Sequence, residues 1–402
     1  MQGHIRKRVH TAKDGSRTVN WYVVVDVPRA DDGRRRQKWF GGYPTRREAE
    51  AERAKIVHEM NLGSFVEPSA LTFVEWVREH WLPTMESRVK PSTCDSYRRN
   101  LELHVLPRLG SLQLRKLTPV MLNGLYSELL ADGNLRADGG LSPKTVRYIH
   151  TIIHKALADA LDAGVLGTNV AARAKPPRAR TAAPNEISVW EPAELRRFLG
   201  VVQGHRLEAA WHLIAMTGMR RGEVLGLRWK DVDLDAARIS VRQALVAVAY
   251  KVIVSTPKTH QARVIDLDPG TAARLRDHWT RQQAEREEWG TDYQDGDLVF
   301  CKEDGTPIHP HSFSQTFERL VARSHLPSIR LHDLRHTHAT IALKAGVPVK
   351  VISERLGHET PAFTMKQYAH VMPGMQAEAA MTVASLVLPS ESVPPRRPRR
   401  RQ

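Results

Sequence analysis

Cysteine is scarce in this 402-residue chain: Cys94 and Cys301 stand alone and far apart. That excludes a disulfide framework and the paired-cysteine zinc sites, and leaves buried thiols in a reducing compartment as the expectation. Long apolar runs are missing too. Nothing approaches the ~20 apolar residues a membrane span needs. The opening MQGHIRKRVHTAKDG lacks the apolar stretch of a secretory leader, so a cytoplasmic protein without membrane contact is expected. Acidic residues are in deficit, 44 Asp and Glu against 60 Lys and Arg, a formal charge of +16. A surplus of that size favours a polyanionic partner, nucleic acid foremost. No short carboxylate cluster of the Mg²⁺-binding kind is present.

What is there suffices for more than one core: the chain is 41% hydrophobic, and its length predicts two or three domains. Residues 1–62 read as a small module. HIRKRVHT at 4–11, VNWYVVVDVP at 19–28 and RRRQKWFGG at 34–42 predict a three-stranded sheet, with turns at Asp14-Gly15 and at the Asp-Asp-Gly of 31–33. A helix follows, opened by a Thr45/Glu48 capping box. This segment has fourteen Lys and Arg against eight Asp and Glu. A basic sheet face can enter a major groove, with Arg34, Arg35 and Arg36 as candidate contacts; an ordinary solvated face is the alternative.

Residues 70–172 predict an all-helical domain. Thr72 and Glu75 form a second capping box, and Thr118-Pro119 and Ser142-Pro143 each read as N-cap followed by an N1 proline. Lys144 and Arg147, on the helix periodic in Val146, Ile149, Ile153 and Leu157, are candidate DNA contacts or simply a solvated face. A basic Pro/Ala-rich linker is expected at 173–186, a mainly helical unit with a small antiparallel sheet at 187–388, and a disordered Pro/Arg-rich tail at 389–402. ARISVRQALVAVAYKVIVSTPKTHQARVIDL at 237–267 alternates as a three-stranded meander would, with Lys258 in its second turn.

The chemistry gathers in the last unit. Arg220 and Glu223 lie in TGMRRGEVLGLRW, Lys258 in TPKTHQARVIDL, His332 and Arg335 in LHDLRHTHAT, His358 in LGH and Tyr368 in KQYAH. His332 and Arg335 are three apart, so a helix puts them on one face. A forked guanidinium beside an imidazole suits a phosphate oxygen. Tyr368 can attack such a phosphate if clustered cations lower its pKa from about 10. His336 and His338 fall on other faces and are expected to be structural or solvent-facing. A metal reading competes, since His332 and His336 are four apart with Asp333 after the first. Against it, Arg335 shares the His332 face and would repel a divalent cation, and no third ligand is signalled.

In order and wording these motifs resemble the tyrosine recombinase (phage integrase) family. The resemblance covers the unit from 187 to about 380; the helical region is similar to the family's core-binding domain and the N-terminus to its arm-type DNA-binding domain. It implies that Arg220, Lys258, His332, Arg335, His358 and the nucleophile Tyr368 are catalytic, with Glu223 supporting Arg220. It also implies an enzyme needing no metal, ATP or other cofactor that recombines double-stranded attachment sites for a mobile element, through a 3′-phosphotyrosine and a Holliday junction. The implied assembly is a homotetramer on synapsed DNA, with a directionality factor and a host DNA-bending protein as open additions, on the nucleoid of a prokaryotic host. In the resemblance His332 serves as general base toward Tyr368 and Lys258 as general acid. Rival readings are a DNA-binding regulator that keeps the fold without the reaction, a type IB topoisomerase-like enzyme, and a metal nuclease.

Overall fold

The computed structural model describes residues 3–11, 17–27, 36–61, 70–135, 137–178, 188–256, 262–368 and 375–387. The chain divides into two units, Met1–Thr181 and Ala182–Gln402.

In the first unit, strands β1 (Gly3–Thr11), β2 (Arg17–Val27) and β3 (Arg36–Tyr43) form an antiparallel sheet with β2 in the centre. β-Branched Val23 and Val25 pack with Phe40 against Ala49, Ile56 and Met60 of helix α1 (Arg46–Asn61). Thr45 accepts from the Glu48 amide at 3.2 Å and so starts that helix. Cations lie over aromatic rings across the strands: Arg8 and Arg6 stand 4.7 and 5.6 Å from the Trp39 ring, and Lys7 5.9 Å from Trp21. The turns expected at Asp14-Gly15 and at 31–33 lie outside the described residues.

A separate apolar core gathers the helices that follow. One runs as α2 (Phe73–Glu75), a π-helical stretch Trp76–Trp81 and α3 (Leu82–Arg88); the next as α4 (Pro91–Asn100), π-helical Leu101–Val105 and α5 (Leu106–Leu109). Then come α6 (Pro119–Asp132) and α7 (Pro143–Asp162). The capping box is formed, with Thr72 accepting from the Glu75 amide at 3.3 Å and Glu75 accepting from the Thr72 amide at 2.8 Å. Thr118 and Ser142 cap α6 and α7 through their hydroxyls. The apolar stripe of α7 is fully buried at Val146, Ile149, Ile153 and Leu157. Indole N–H groups tie the first helix to α7, Trp76 to the Ala156 carbonyl and Trp81 to Asp159.

The second unit contains α8 (Pro192–Val201), α9 (Glu208–Thr217), α10 (Arg221–Leu225), α11 (Pro269–Trp289), α12 (Pro310–Arg323), α13 (Leu331–Lys344), α14 (Val349–Leu356), α15 (Pro361–Tyr368) and α16 (Met375–Val387). Its core stacks Trp211 on Phe313 at 4.1 Å and sets Trp190, Phe198 and Phe317 around them. The expected three-stranded meander is not what forms. Strand β5 (Arg238–Val241) pairs with β4 (Val232–Asp233) on one side and with the distant β8 (Arg263–Asp266) on the other. Between β5 and β8, β6 (Ala244–Val248) and β7 (Lys251–Ser255) form their own hairpin. Alternation alone cannot distinguish successive pairing from a hairpin inserted between partners, because both need the same period. Ala249 and Tyr250, both with positive φ (46° and 63°), make the hairpin turn, and without glycine they give no turn signal in sequence.

No described helix is long and apolar enough to cross a membrane. Replacing Thr72 by Ala removes the hydroxyl half of the capping box, while the amide of residue 72 can still donate to Glu75, and is expected to cost about 1 kcal/mol, read as a lowered denaturant midpoint of the full chain. An unchanged midpoint would mean the remaining amide bond and the tertiary contacts hold the helix start without the hydroxyl.

Candidate active site

Two helices of the second unit end in left-handed glycines. Gly218 (φ 65°) closes α9 and Gly357 (φ 64°) closes α14. A side chain at Gly218 would come within 2.5 Å of Leu356 and 2.9 Å of His338; one at Gly357 would come within 2.9 Å of Arg263. At both places the chain turns so closely that only glycine fits. The turns aim backbone carbonyls inward. Arg335, 2% exposed on α13, donates Nη1 to Gly218 O at 2.6 Å and Nη2 to Leu356 O at 2.7 Å. Arg220, just before α10, donates Nη2 to Gly357 O at 3.0 Å. Carbonyls at helix C-termini carry partial negative charge, so these ends stabilise cations. Burial and the nearby Arg220 still push the Arg335 guanidinium down to about 9, below its ordinary value.

A single carboxylate offsets this concentration of charge. Glu223, 1% exposed, accepts from the Arg220 amide at 2.9 Å and from Arg220 Nη1 at 2.9 Å. It also accepts from Arg263 Nη1 at 3.1 Å and Nη2 at 2.6 Å. Burial alone would raise the Glu223 pKa, but the Arg263 hydrogen bonds and the charges of Arg263 and Arg220 hold it at about 2. Arg263, on β8, reaches a third point by donating Nε to the Arg355 carbonyl at 2.9 Å. It thus braces α10 and the end of α14 from the sheet. Nothing in sequence marks Arg263, one arginine in an alternating strand; only the pairing of β8 with β5 brings it to Glu223.

A cleft of about 430 Å³ opens at this arrangement. Arg220, Arg221, Arg330, His332 and Arg335 line it, with Glu318 as an acid among them. Arg221, the second arginine of the RRGE run, donates to Ser314 on α12 at 2.7 Å, and Arg330 forks onto Asp333 at 2.9 and 3.0 Å. His332 is exposed at the cleft, and burial of its ring with the Arg335 charge lowers its pKa.

Tyr368, at the end of α15, is 1% exposed, packed with Ala339, Leu343, Ile352 and Leu356. Its hydroxyl meets His336 Nδ1 at 2.8 Å. The histidine at hydrogen-bond distance of the tyrosine is His336; of the two expectations for it, structural or solvent-facing, the half-buried ring and this bond fit the structural one. It lies one turn beyond His332, with the two rings edge-on at 5.1 Å. The tyrosine pKa is raised to about 12, because burial outweighs the opposing charge of Arg335. His358 Nδ1 meets Thr364 Oγ1 at 2.7 Å, and its ring stands against Phe363. His338 is taken by the Ala215 carbonyl at 3.0 Å.

The structure thus brings Arg220, His332 and Arg335 to one cleft, with Glu223 beneath Arg220. Lys258, Arg34 and Arg35 lie outside the described residues, and Arg36 is described only as the first residue of β3. Lys144 and Arg147 are exposed on α7 in the first unit, where Arg147 donates to the Pro177 carbonyl at 3.1 Å. Among the described residues no group of three or more His, Cys, Asp or Glu side chains is placed to hold a metal ion, so the His332/His336 pair has no third ligand there.

A guanidinium pair and an imidazole at a cleft, with a buried tyrosine and further imidazoles nearby, on a mainly helical unit with small antiparallel sheets, form a set of groups suited to binding a phosphodiester. The family models agree: residues 190–374 match the phage integrase family, 72–130 the phage integrase N-terminal SAM-like domain, and 9–60 the arm DNA-binding domain. A tyrosine recombinase XerC-like protein of Caldanaerobacter subterraneus subsp. tengcongensis is 26% identical over 399 residues, 95% of this chain and 100% of the relative. In fold, the chain is similar to the Tn1549 transposon integrase solved with a circular intermediate DNA (TM-score 0.63, 21% identity, 78% of this chain and 99% of that one). It is similar also to a lambda integrase tetramer solved on a Holliday junction (TM-score 0.54, 18% identity, 89% and 94%). The chain belongs to the phage integrase family of tyrosine recombinases, and it is a site-specific DNA recombinase.

Two outcomes follow from the buried charges. Arg263→Met leaves Glu223 with Arg220 alone and is expected to cost about 3 kcal/mol, with part restored in Arg263→Lys; equal stability of all three proteins in urea would remove the brace. Burial, ahead of neighbouring positive charge, holds His336 and His338 down at about 4 and His358 at about 3, against an ordinary 6.5. Between those values the unfolded chain binds protons that the folded one refuses. Stability is therefore complete above about pH 6.5 and declines toward pH 4. Calorimetry should show Tm falling steadily over that window; a flat profile would mean the rings are charged when folded.

Proposed function

We propose that Tyr368 attacks the scissile phosphate, forming a 3′-phosphotyrosyl link and releasing a 5′-hydroxyl. Arg220 and Arg335 hold the non-bridging oxygens. Charge on those oxygens grows toward the pentacoordinate transition state, so a fixed guanidinium pair binds that state better than the ground state. The single observation that carries this reading is that Arg220 and Arg335, both pinned by carbonyls of Leu356 and Gly357, line one cleft with His332. Pinned donors need no reorganisation as charge develops. Glu223 fixes the Arg220 fork, His332 and His358 supply hydrogen bonds to the phosphate, and Lys258 is the acid that protonates the departing 5′-oxygen.

The ester conserves the energy of the broken bond, so rejoining needs no ATP. A 5′-hydroxyl of a second duplex attacks it, and strands exchange through a Holliday junction. Pairing two duplexes takes four protomers, as in the lambda integrase tetramer. Residues 1–62 are the arm-binding domain, with Arg6, Arg8 and Trp39 on its sheet; 70–172 are the core-binding domain, with Lys144 and Arg147 toward DNA; 187–388 are the catalytic domain. Two DNA-binding ends on one chain let a protomer bridge two sites. Integration of a mobile element in a prokaryotic cytoplasm, on the nucleoid, fits this layout, with a directionality factor and a host bending protein as added partners.

The test is a covalent trap. Purified protein meets nicked duplexes made from the DNA flanking its gene, in EDTA, and products are run in SDS. A protein–DNA adduct is expected, and Tyr368→Phe should abolish it. Adduct formation by Tyr368→Phe would displace the nucleophile, and cleavage only without EDTA would restore a metal mechanism.

A further inference from the structure

We infer that His336 is a catalytic residue: it takes the phenolic proton of Tyr368 as the tyrosine oxygen attacks phosphorus, and returns it when the strand is rejoined. This rests on the reading of Tyr368 as nucleophile. The carrying observation is the 2.8 Å contact between His336 Nδ1 and the Tyr368 hydroxyl.

Three further features support it. First, Tyr368 is 1% exposed, so bulk water is not at hand to accept its proton, and burial makes an unassisted phenolate costly. Second, burial, with His332 next in effect, keeps the His336 ring neutral at pH 7, so a ring nitrogen has a lone pair to offer. Such a ring is a weak base in the free protein. A scissile phosphate in the cleft brings negative charge close to it, and the transition state brings more; both favour the imidazolium. Asp333, on the same helix, acts in the same direction. Third, His332 stands one turn earlier on α13, edge-on to His336 at 5.1 Å and exposed at the cleft. An exposed ring beside the half-buried His336 is suited to exchanging the proton with solvent between cleavage and rejoining.

The step balances. As the Tyr368 Oη–P bond forms, the P–O5′ bond breaks. The phenolic proton passes to His336 Nδ1, and the departing 5′-oxygen takes a proton from the separate acid assigned to Lys258. In rejoining, the incoming 5′-hydroxyl gives its proton to the conjugate base of that acid, and the leaving tyrosine oxygen regains one from His336.

A purely structural His336 would only fasten α15 to α13, so the test must separate base from fastener. On the fragment that gives the adduct, single-turnover cleavage is measured for the full chain and for His336→Gln. Each is prepared with Tyr368 and with 3,5-difluorotyrosine at that position, whose phenol is more acidic. His336→Asn is run beside them, and gel-shift DNA binding controls for folding. With Tyr368, His336→Gln is expected to slow cleavage by about 100-fold or more. With difluorotyrosine most of that loss should vanish, since the phenol gives up its proton more readily. A 5′-bridging phosphorothiolate, whose sulfur leaves without protonation, should not recover it. If the difluorotyrosine proteins lose as much as the tyrosine ones, or if the substitution slows nothing, the assignment is overturned. Recovery on the phosphorothiolate would overturn it too, by placing His336 at the leaving oxygen. Failure of the nucleophile reading is a different result, an adduct that survives Tyr368→Phe.

Discussion

The site depends on one buried carboxylate. Glu223 accepts four hydrogen bonds, two from Arg220 and two from Arg263, in a setting where an unpaired charge would be very costly. Without it Arg220, Arg263 and Arg335 would repel one another in a medium that screens poorly. With it, the pair facing the cleft keeps its geometry before any DNA arrives. The carboxylate also fastens a helix start, a strand and, through Arg263, the end of another helix, so the architecture and the charge balance have the same cause.

The carbonyls complete the cage. Gly218 and Gly357 each end a helix in a conformation that other residues adopt only under strain, and the carbonyls at those ends become acceptors for guanidinium. Arginine suits this position because its fork has donors enough to be held from behind and to bind in front. Lysine, with a single head, would have to choose.

Much of the fold was legible because local rules acted locally. Thr72, Thr118 and Ser142 cap the helices they precede, and Val146, Ile149, Ile153 and Leu157 are buried as their period requires. The order of the motifs pointed to Arg220 and Arg335, which the fold brings to one cleft. What escaped was long-range. Arg263 matters only because β8 pairs across an inserted hairpin, and no period encodes which strand is the partner. The contact of His336 with Tyr368 is hidden in the same way: helical spacing groups His332 with Arg335, whereas the hydroxyl that meets His336 comes from α15, far along the sequence. The pKa of Tyr368 went the other way from the sequence argument for the same reason: cations could be counted in sequence, but the depth of the ring could not.

The spacing of the cage along the chain has a consequence for synthesis. Arg220 waits for Gly357, 137 residues later, and Arg335 reaches back 117 residues to Gly218. Tyr368 follows both. A ribosome therefore releases the sheet, the helical core and both arginines of the cleft before the proposed nucleophile exists. A nascent chain stalled anywhere before residue 368 can carry both arginines of the cleft but not Tyr368, so the proposed cutting group is the last part of the site to be made.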